Sequence, residues 1–211
     1  MKKRVGILIS GRGSNMRALI EAASVPDYPA QIVLVISNVA DAGGLEFARK
    51  HNVETQIIEH KKFPSREIFD NAMDVALKAA NVEIVALAGF MRLLSPRFVE
   101  NWHGRMINIH PSLLPAYKGL HTHKRAIEAG EKFAGCTVHF VTPELDDGPT
   151  ILQARVPVLP GDSEDALAAR VLEQEHRIYP EALRLVAEAP APAAKPKLVA
   201  GIPRRDKSGL G

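Results

Sequence analysis

The sequence predicts an α/β protein: an open, mostly parallel, Rossmann-like sheet with helices on both faces, forming a single domain. Three observations lead there. Over the first 160 residues, short β-branched runs alternate with longer helical patterns, the spacing of strand–helix–strand units. Arg4–Ile9 is apolar and flanked by charge and glycine, and Ile84–Leu87 is apolar without interruption, as strands covered on both faces are. A length of 211 residues fits one domain with a small appendage, at roughly 150 residues per domain.

Taken in order, Arg4–Ile9 reads as a buried strand. Ser14–Ala23 follows as a helix, with Met16, Leu19 and Ile20 at helical spacing. Ile32–Ile36 is a second strand, Gly44–Lys50 a short helix and Thr55–Ile58 a short strand. Ser65 is a good N-cap for a helix to about Ala80, and Glu67 in its first turn suits the positive end of the helix dipole. Ile84–Leu87 and Met106–Ile109 are further strands. A helix after His121 runs to about Ala129 and is ended by Gly130; Cys136–Val141 and Ile151–Val156 are strands joined by the polar, acidic loop Thr142–Gly148. Ser163 caps a last helix whose apolar face carries Leu167, Val171 and Ile178, and which Pro180 either kinks or restarts. The domain is expected over 1–188. From 189 to 211 the composition turns to Ala, Pro and Lys, and an extended or flexible tail is expected.

Composition excludes several classes. With 46% apolar and 24% charged residues the chain is ordinary for a globular protein rather than collagenous or wholly disordered. One cysteine, Cys136, allows neither an internal disulfide nor a cysteine-based zinc cluster, and suits a reducing compartment. After the basic start Met1–Arg4, only Val5–Ile9 are apolar, short of the about 7–15 residues of a secretory core. The longest later apolar run, Ile84–Met91, is eight residues, against roughly 18 or more for a membrane helix. A cytoplasmic protein without membrane contact is expected. The net charge of +3 belongs entirely to the stretch from Glu188 onward, where Lys195, Lys197, Arg204, Arg205 and Lys207 face Glu188 and Asp206. The body is neutral, so the charge gives no reason to expect nucleic acid as a partner.

Two segments carry chemistry. Ile9–Asn15, with Gly11 and Gly13, joins the first strand to the first helix, where open α/β sheets bind ligands. Helix N-terminal amides suit a phosphate, and glycine allows close approach. A dinucleotide fingerprint would need glycine where Met16 stands and an acid some 20 residues on; the P-loop lysine is also missing. The residues alone leave two readings: a monophosphate cradle, or a tight turn chosen only for positive φ. The second segment is Asn108–Pro115. Asn108 and His110 lie two apart on one strand face, and Asp146 follows in the acidic loop. An amide donor, an imidazole and a carboxylate are what acyl transfer without a covalent intermediate requires. The amide stabilises an oxyanion, the imidazole shuttles the proton, and the carboxylate orients the ring and favours its charged form. No Gly-x-Ser-x-Gly elbow is present. On spacing alone, a histidine capping a strand and an aspartate making a turn remain open.

The stretches Gly11–Asn15, Ala88–Leu94, Asn108–Pro115, Gly119–His123, His139–Asp146 and Ala154–Pro180 closely resemble the phosphoribosylglycinamide formyltransferases, of the 10-formyltetrahydrofolate-dependent formyltransferase and deformylase family. The resemblance runs in order from Arg4 to about Ala187. It implies direct transfer of a formyl group from 10-formyltetrahydrofolate, as co-substrate, to the glycyl amine of glycinamide ribonucleotide in de novo purine biosynthesis, with no metal. By position it implies Asn108, His110 and Asp146 as the catalytic trio. Gly13, Ser14 and Asn15 then cradle the substrate phosphate, and Glu175 lies near the substrate amine. Arg66, Met91, Arg92, Leu93, Leu94, Asn108 and Val141 form the folate site. An apolar Phe90–Leu94 wall for a pteridine and two arginines for glutamyl carboxylates make chemical sense; without the resemblance they read equally well as a buried strand end with two solvated arginines. The formyltetrahydrofolate deformylases and methionyl-tRNA formyltransferases share the trio, but the former usually carry an N-terminal regulatory domain and the latter a C-terminal nucleic-acid-binding domain; with the first strand read from Arg4 and a short tail after 188, neither is expected here. A basic-tail nucleic-acid binder is the rival from another class. A monomer or homodimer is expected. His121, His123 and His139 read as hydrogen-bonded pocket or core histidines, and Cys136 as a small buried apolar residue.

Overall fold

The alternation of strand and helix signals becomes a seven-stranded sheet in the computed structural model, which describes residues 1–190. The strands are β1 (Lys3–Ile9), β2 (Ala30–Ser37), β3 (Glu54–Ile57), β4 (Ile84–Leu87), β5 (Met106–His110), β6 (Phe133–Phe140) and β7 (Thr150–Pro157). The helices are α1 (Ser14–Ala23), α2 (Gly44–Lys50), α3 (Arg66–Ala79), α4 (Pro96–Asn101), α5 (Thr122–Glu128) and α6 (Glu164–Glu188). The spatial order is β3-β2-β1-β4-β5-β6-β7. β1 to β5 pair in parallel, and β6 and β7 add antiparallel. The expected mostly parallel sheet is present, and its order reverses between β1 and β4. None of the helices among the described residues is long and apolar enough to cross a membrane.

Helices cover both faces, each over its own core. Met16 and Leu19 of α1, Leu45 of α2, Ala126 of α5 and Leu167, Val171 and Leu183 of α6 pack with Val5, Ile7, Ile107 and Ile109 on one face. Phe69, Met73 and Leu77 of α3 and Phe98 and Val99 of α4 pack with Leu8, Val85 and Met106 on the other. Alternation along each strand sends its side chains to the two cores in turn.

Serine caps work as read: the hydroxyls of Ser65 and Ser163 accept from the amides of Ile68 (3.3 Å) and Ala166 (3.2 Å). α4 adds a helix the periodicity does not reveal, because six residues are too few for a pattern. Its signal is the cap alone, Ser95 followed by Pro96 in the first turn. Of the two readings for Pro180, the restart does not apply: α6 is continuous from Glu164 to Glu188 with Pro180 inside it. Proline removes one backbone donor, and the burial of Ile178, Tyr179, Ala182 and Leu183 around it outweighs that loss. The Tyr179 hydroxyl donates to the carbonyl of Leu87 (2.9 Å), fastening α6 beneath the ends of the central strands. The tail expected from 189 lies, beyond Pro190, outside the described residues.

Candidate active site

The carboxyl ends of β1 and β4, where the strand order reverses, form the natural crevice of such a sheet. The turn after β1 is held by its backbone. Gly13 stands at φ 68°, in the left-handed region. An added Cβ there would lie 3.2 Å from the Gly44 Cα and 3.1 Å from the Met16 Cε. The Gly44 amide also donates to the Gly11 carbonyl (3.1 Å), so the first turn of α2 backs the loop. α1 has no side-chain cap and no acidic residue in its first turn, which leaves its N-terminal positive end uncompensated by side chains. Ser10 ties this turn to the next loop. Its hydroxyl donates to Asn38 Oδ1 (2.6 Å) and accepts from the Met91 amide (2.8 Å).

The Gly13 φ satisfies the tight-turn reading, and the uncapped helix start suits the anion reading; the two are not exclusive. Asn15, on the first turn of α1, is buried and its amide Nδ2 donates to Glu175 Oε2 (2.6 Å). Glu175 is likewise buried, and burial pushes its carboxyl pKa up, with the Asn15 bond pulling it partly back. The Asn15 Oδ1 has no hydrogen-bond partner. A carboxylate beside an unpaired amide oxygen is a site for a donor group such as an amine.

The trio read from the sequence comes together. Ile107 and Ile109 face the α6 core, so Asn108 and His110 share the opposite face of β5. His110 Nδ1 is 3.3 Å from Asp146 Oδ2, and both side chains are nearly enclosed. His110 Nε2 donates to the Tyr117 carbonyl (3.0 Å). Asp146 arrives from the β6–β7 loop in a left-handed conformation, φ 50°, and its Oδ2 accepts from the Gly119 amide (2.9 Å). Gly148 makes this approach possible: a Cβ there would collide with the Phe140 carbonyl oxygen.

His139 is buried and hydrogen-bonded, as the sequence reading expects. It stands directly across the β5–β6 ladder from Asn108. Its Nε2 is 3.2 Å from the Asn108 Nδ2 and 3.8 Å from Asp146 Oδ1. The pairing depends on antiparallel register, which no local signal encodes. Cys136 is buried as expected, and burial pushes its thiol up to about 12.

The Phe90–Leu94 run is a loop and not a buried strand end. Met91 is 64% and Leu93 61% exposed, so they offer apolar surface to the crevice rather than a closed wall, while Phe90 and Leu94 are partly buried against the α3–α4 core. Arg66 opens α3, and its charge acts on the buried Asp70, whose Oδ2 accepts from the Ser95 amide (2.6 Å) at the end of that loop. Val141 continues from β6, its amide donating to the Met106 carbonyl (2.9 Å). Met91–Leu94 thus follow the end of β4 and Val141 the end of β6, whereas Arg66 stands at the start of α3.

The chain is similar to known proteins over most of its length. Residues 3–183 match the Formyl transferase family. Phosphoribosylglycinamide formyltransferase from Escherichia coli (strain K12) is 52% identical over 174 residues, 82% of each chain. The crystal structure of phosphoribosylglycinamide formyltransferase from Brucella melitensis superposes with a TM-score of 0.86 at 52% identity, covering 92% of this chain and 100% of that one. The trifunctional purine biosynthetic protein adenosine-3 of Drosophila pseudoobscura pseudoobscura is 54% identical over 188 residues, 88% of this chain, which spans only 14% of that protein's length. The chain belongs to the formyl transferase family, among its phosphoribosylglycinamide formyltransferases.

Proposed function

We propose that the chain transfers the formyl group of 10-formyltetrahydrofolate directly to the glycyl amine of glycinamide ribonucleotide, a step of purine biosynthesis. The observation that carries this reading is the convergence of Asn108, His110 and Asp146 at the ends of β5 and β6, beside an uncapped helix start.

The phosphate of the acceptor sits on Gly13, Ser14 and Asn15, where α1 presents its positive end. Glu175, held by the Asn15 amide, lies toward the acceptor's amine end. Met91–Leu94, Arg66, Arg92 and Val141 receive the folate. During transfer the amine nitrogen bonds to the formyl carbon, the bond from that carbon to the folate nitrogen breaks, and one proton passes from the amine to the departing nitrogen. Asn108 donates to the formyl oxygen as it gains charge. His110 carries the proton. Both neighbours of its ring are oxygen acceptors, the Asp146 carboxylate and the Tyr117 carbonyl, so the ring is fully satisfied only with hydrogen on both nitrogens. Nε2 must exchange the Tyr117 carbonyl for the reacting atoms, while Asp146 keeps hold of Nδ1. No step needs a metal.

The test mixes the protein with 10-formyltetrahydrofolate, with and without glycinamide ribonucleotide, and follows the donor. Consumption only with the acceptor present, yielding formylated acceptor, supports the proposal. Equal consumption without it makes the chain a deformylase; no consumption in either case removes the reading.

A further inference from the structure

We infer that His139 is the positioning residue that orients the Asn108 amide, presenting its N–H rather than its oxygen to the reacting carbonyl. The inference rests on the proposed formyl transfer for its functional meaning, but its geometry stands separately.

His139 Nδ1 lies 2.9 Å from the Phe140 carbonyl, which can only accept, so Nδ1 carries a hydrogen. Nε2 faces the Asn108 side chain at 3.2 Å. With one hydrogen on the ring, Nε2 is an acceptor and the group opposite must be the Asn108 NH2. The environment favours that singly protonated ring. The histidine is 2% exposed, and desolvation pushes its pKa down, aided by the charge of His110; the Phe140 carbonyl and Asp146 oppose this without overturning it.

The consequence falls on Asn108. An amide flips easily between two orientations of similar shape. Bound to His139, one hydrogen of Nδ2 is used and the second is held in the amide plane. Flipped, Asn108 would turn its carbonyl oxygen toward a developing oxyanion and repel it. The two histidines around Asp146 thus hold opposite roles. His110 meets Oδ2 at 3.3 Å and carries the proton, whereas His139 keeps a lone pair toward Asn108 and moves none.

Two measurements test this. In the intact protein, 15N spectra of labelled histidine should show His139 as the Nδ1–H tautomer at neutral pH. A doubly protonated ring or the Nε2–H tautomer overturns the inference whatever the activity. In kinetics, His139→Ala should lower kcat by about ten- to a hundredfold, less than the roughly 10²–10³ that loss of an entire oxyanion donor costs, with both KM values little changed. His139→Gln, whose oxygen falls near the Nε2 position, should recover most of that loss. In an Asn108→Ala background, His139→Ala should cost almost nothing further, since residues acting through one group are not additive. Additive losses, or a Gln variant no better than Ala, overturn it. If His139→Ala fails to fold, the wild-type spectrum and the Gln variant decide. A wild type that transfers no formyl group removes the proposed function and leaves the tautomer measurement standing.

Discussion

Two regions meet at the carboxyl edge of the sheet, and they are built from different material. The β1–α1 turn is a backbone device: a left-handed Gly13, a helix start without a cap, and a carbonyl of Gly11 held by the Gly44 amide. The β5–β6 constellation is a side-chain device: His110, Asp146, His139 and Asn108 joined by distances of 3.2 to 3.8 Å. The first tolerates little change in shape and much in chemistry. The second tolerates neither, because each atom is a specific donor or acceptor.

The largest effects should come from the side-chain region. His110→Ala and Asp146→Asn are each expected to lower kcat by orders of magnitude with modest changes in KM. The double variant should lose little beyond the worse single one. Steady-state kinetics of the three proteins check this, and additive losses would split the pair into independent groups.

The Phe90–Leu94 loop lies between the regions, hooked to the turn by the Ser10–Met91 hydrogen bond of 2.8 Å. Arg92→Ala should weaken the folate donor by roughly 1–3 kcal/mol, the worth of a hydrogen bond to a charged group. Acceptor affinity should hold. Titration of each ligand separately checks this; an unchanged donor affinity removes Arg92 from the site.

The backbone region calls for a paired test. Gly13→Ala forces a side chain to φ 68° against Gly44, so it should cost about 1–2 kcal/mol of stability as well as acceptor binding. Gly11→Ala places its methyl where nothing lies within 4 Å. A rise in acceptor KM without loss of stability in Gly11→Ala would therefore report ligand contact alone. No change in either variant's acceptor KM would make the turn purely structural.

The smallest effect should have the opposite sign. Burial raises the Glu175 pKa above its ordinary 4.5, so above the folded-state value the folded protein bears a desolvated charge that the unfolded chain does not. Glu175→Gln should then raise the unfolding midpoint at neutral and alkaline pH. The gain should vanish below about pH 4.5, where the carboxyl is neutral in both states. Acceptor KM should rise even as stability does; thermal unfolding across pH with parallel kinetics checks both.

Legibility in the sequence followed the reach of the interactions. Strands β1, β4 and β5, helices α1, α2, α3 and α6, and the serine caps were readable because apolar periodicity and capping act over a few residues. α4 escaped, since six residues hold less than two turns. The trio was readable as residue types in suitable places, and resemblance to a known family joined them. The pairing of His139 with Asn108 was not, because the two lie 31 positions apart across an antiparallel ladder.

By itself the sequence determined the order of elements, the glycine turn at the first helix and the supply of an amide, an imidazole and a carboxylate near strand ends. Tertiary structure decided which of several histidines does which work. Ladder register set His139 opposite Asn108, and the lack of a Cβ at Gly148 let Asp146 close on His110. Folding also brought Asn15 to Glu175 across 160 positions. The physical reason is that propensity and capping are local energies, whereas donor and acceptor roles depend on burial and on partners that only the packed sheet brings within about 3 Å.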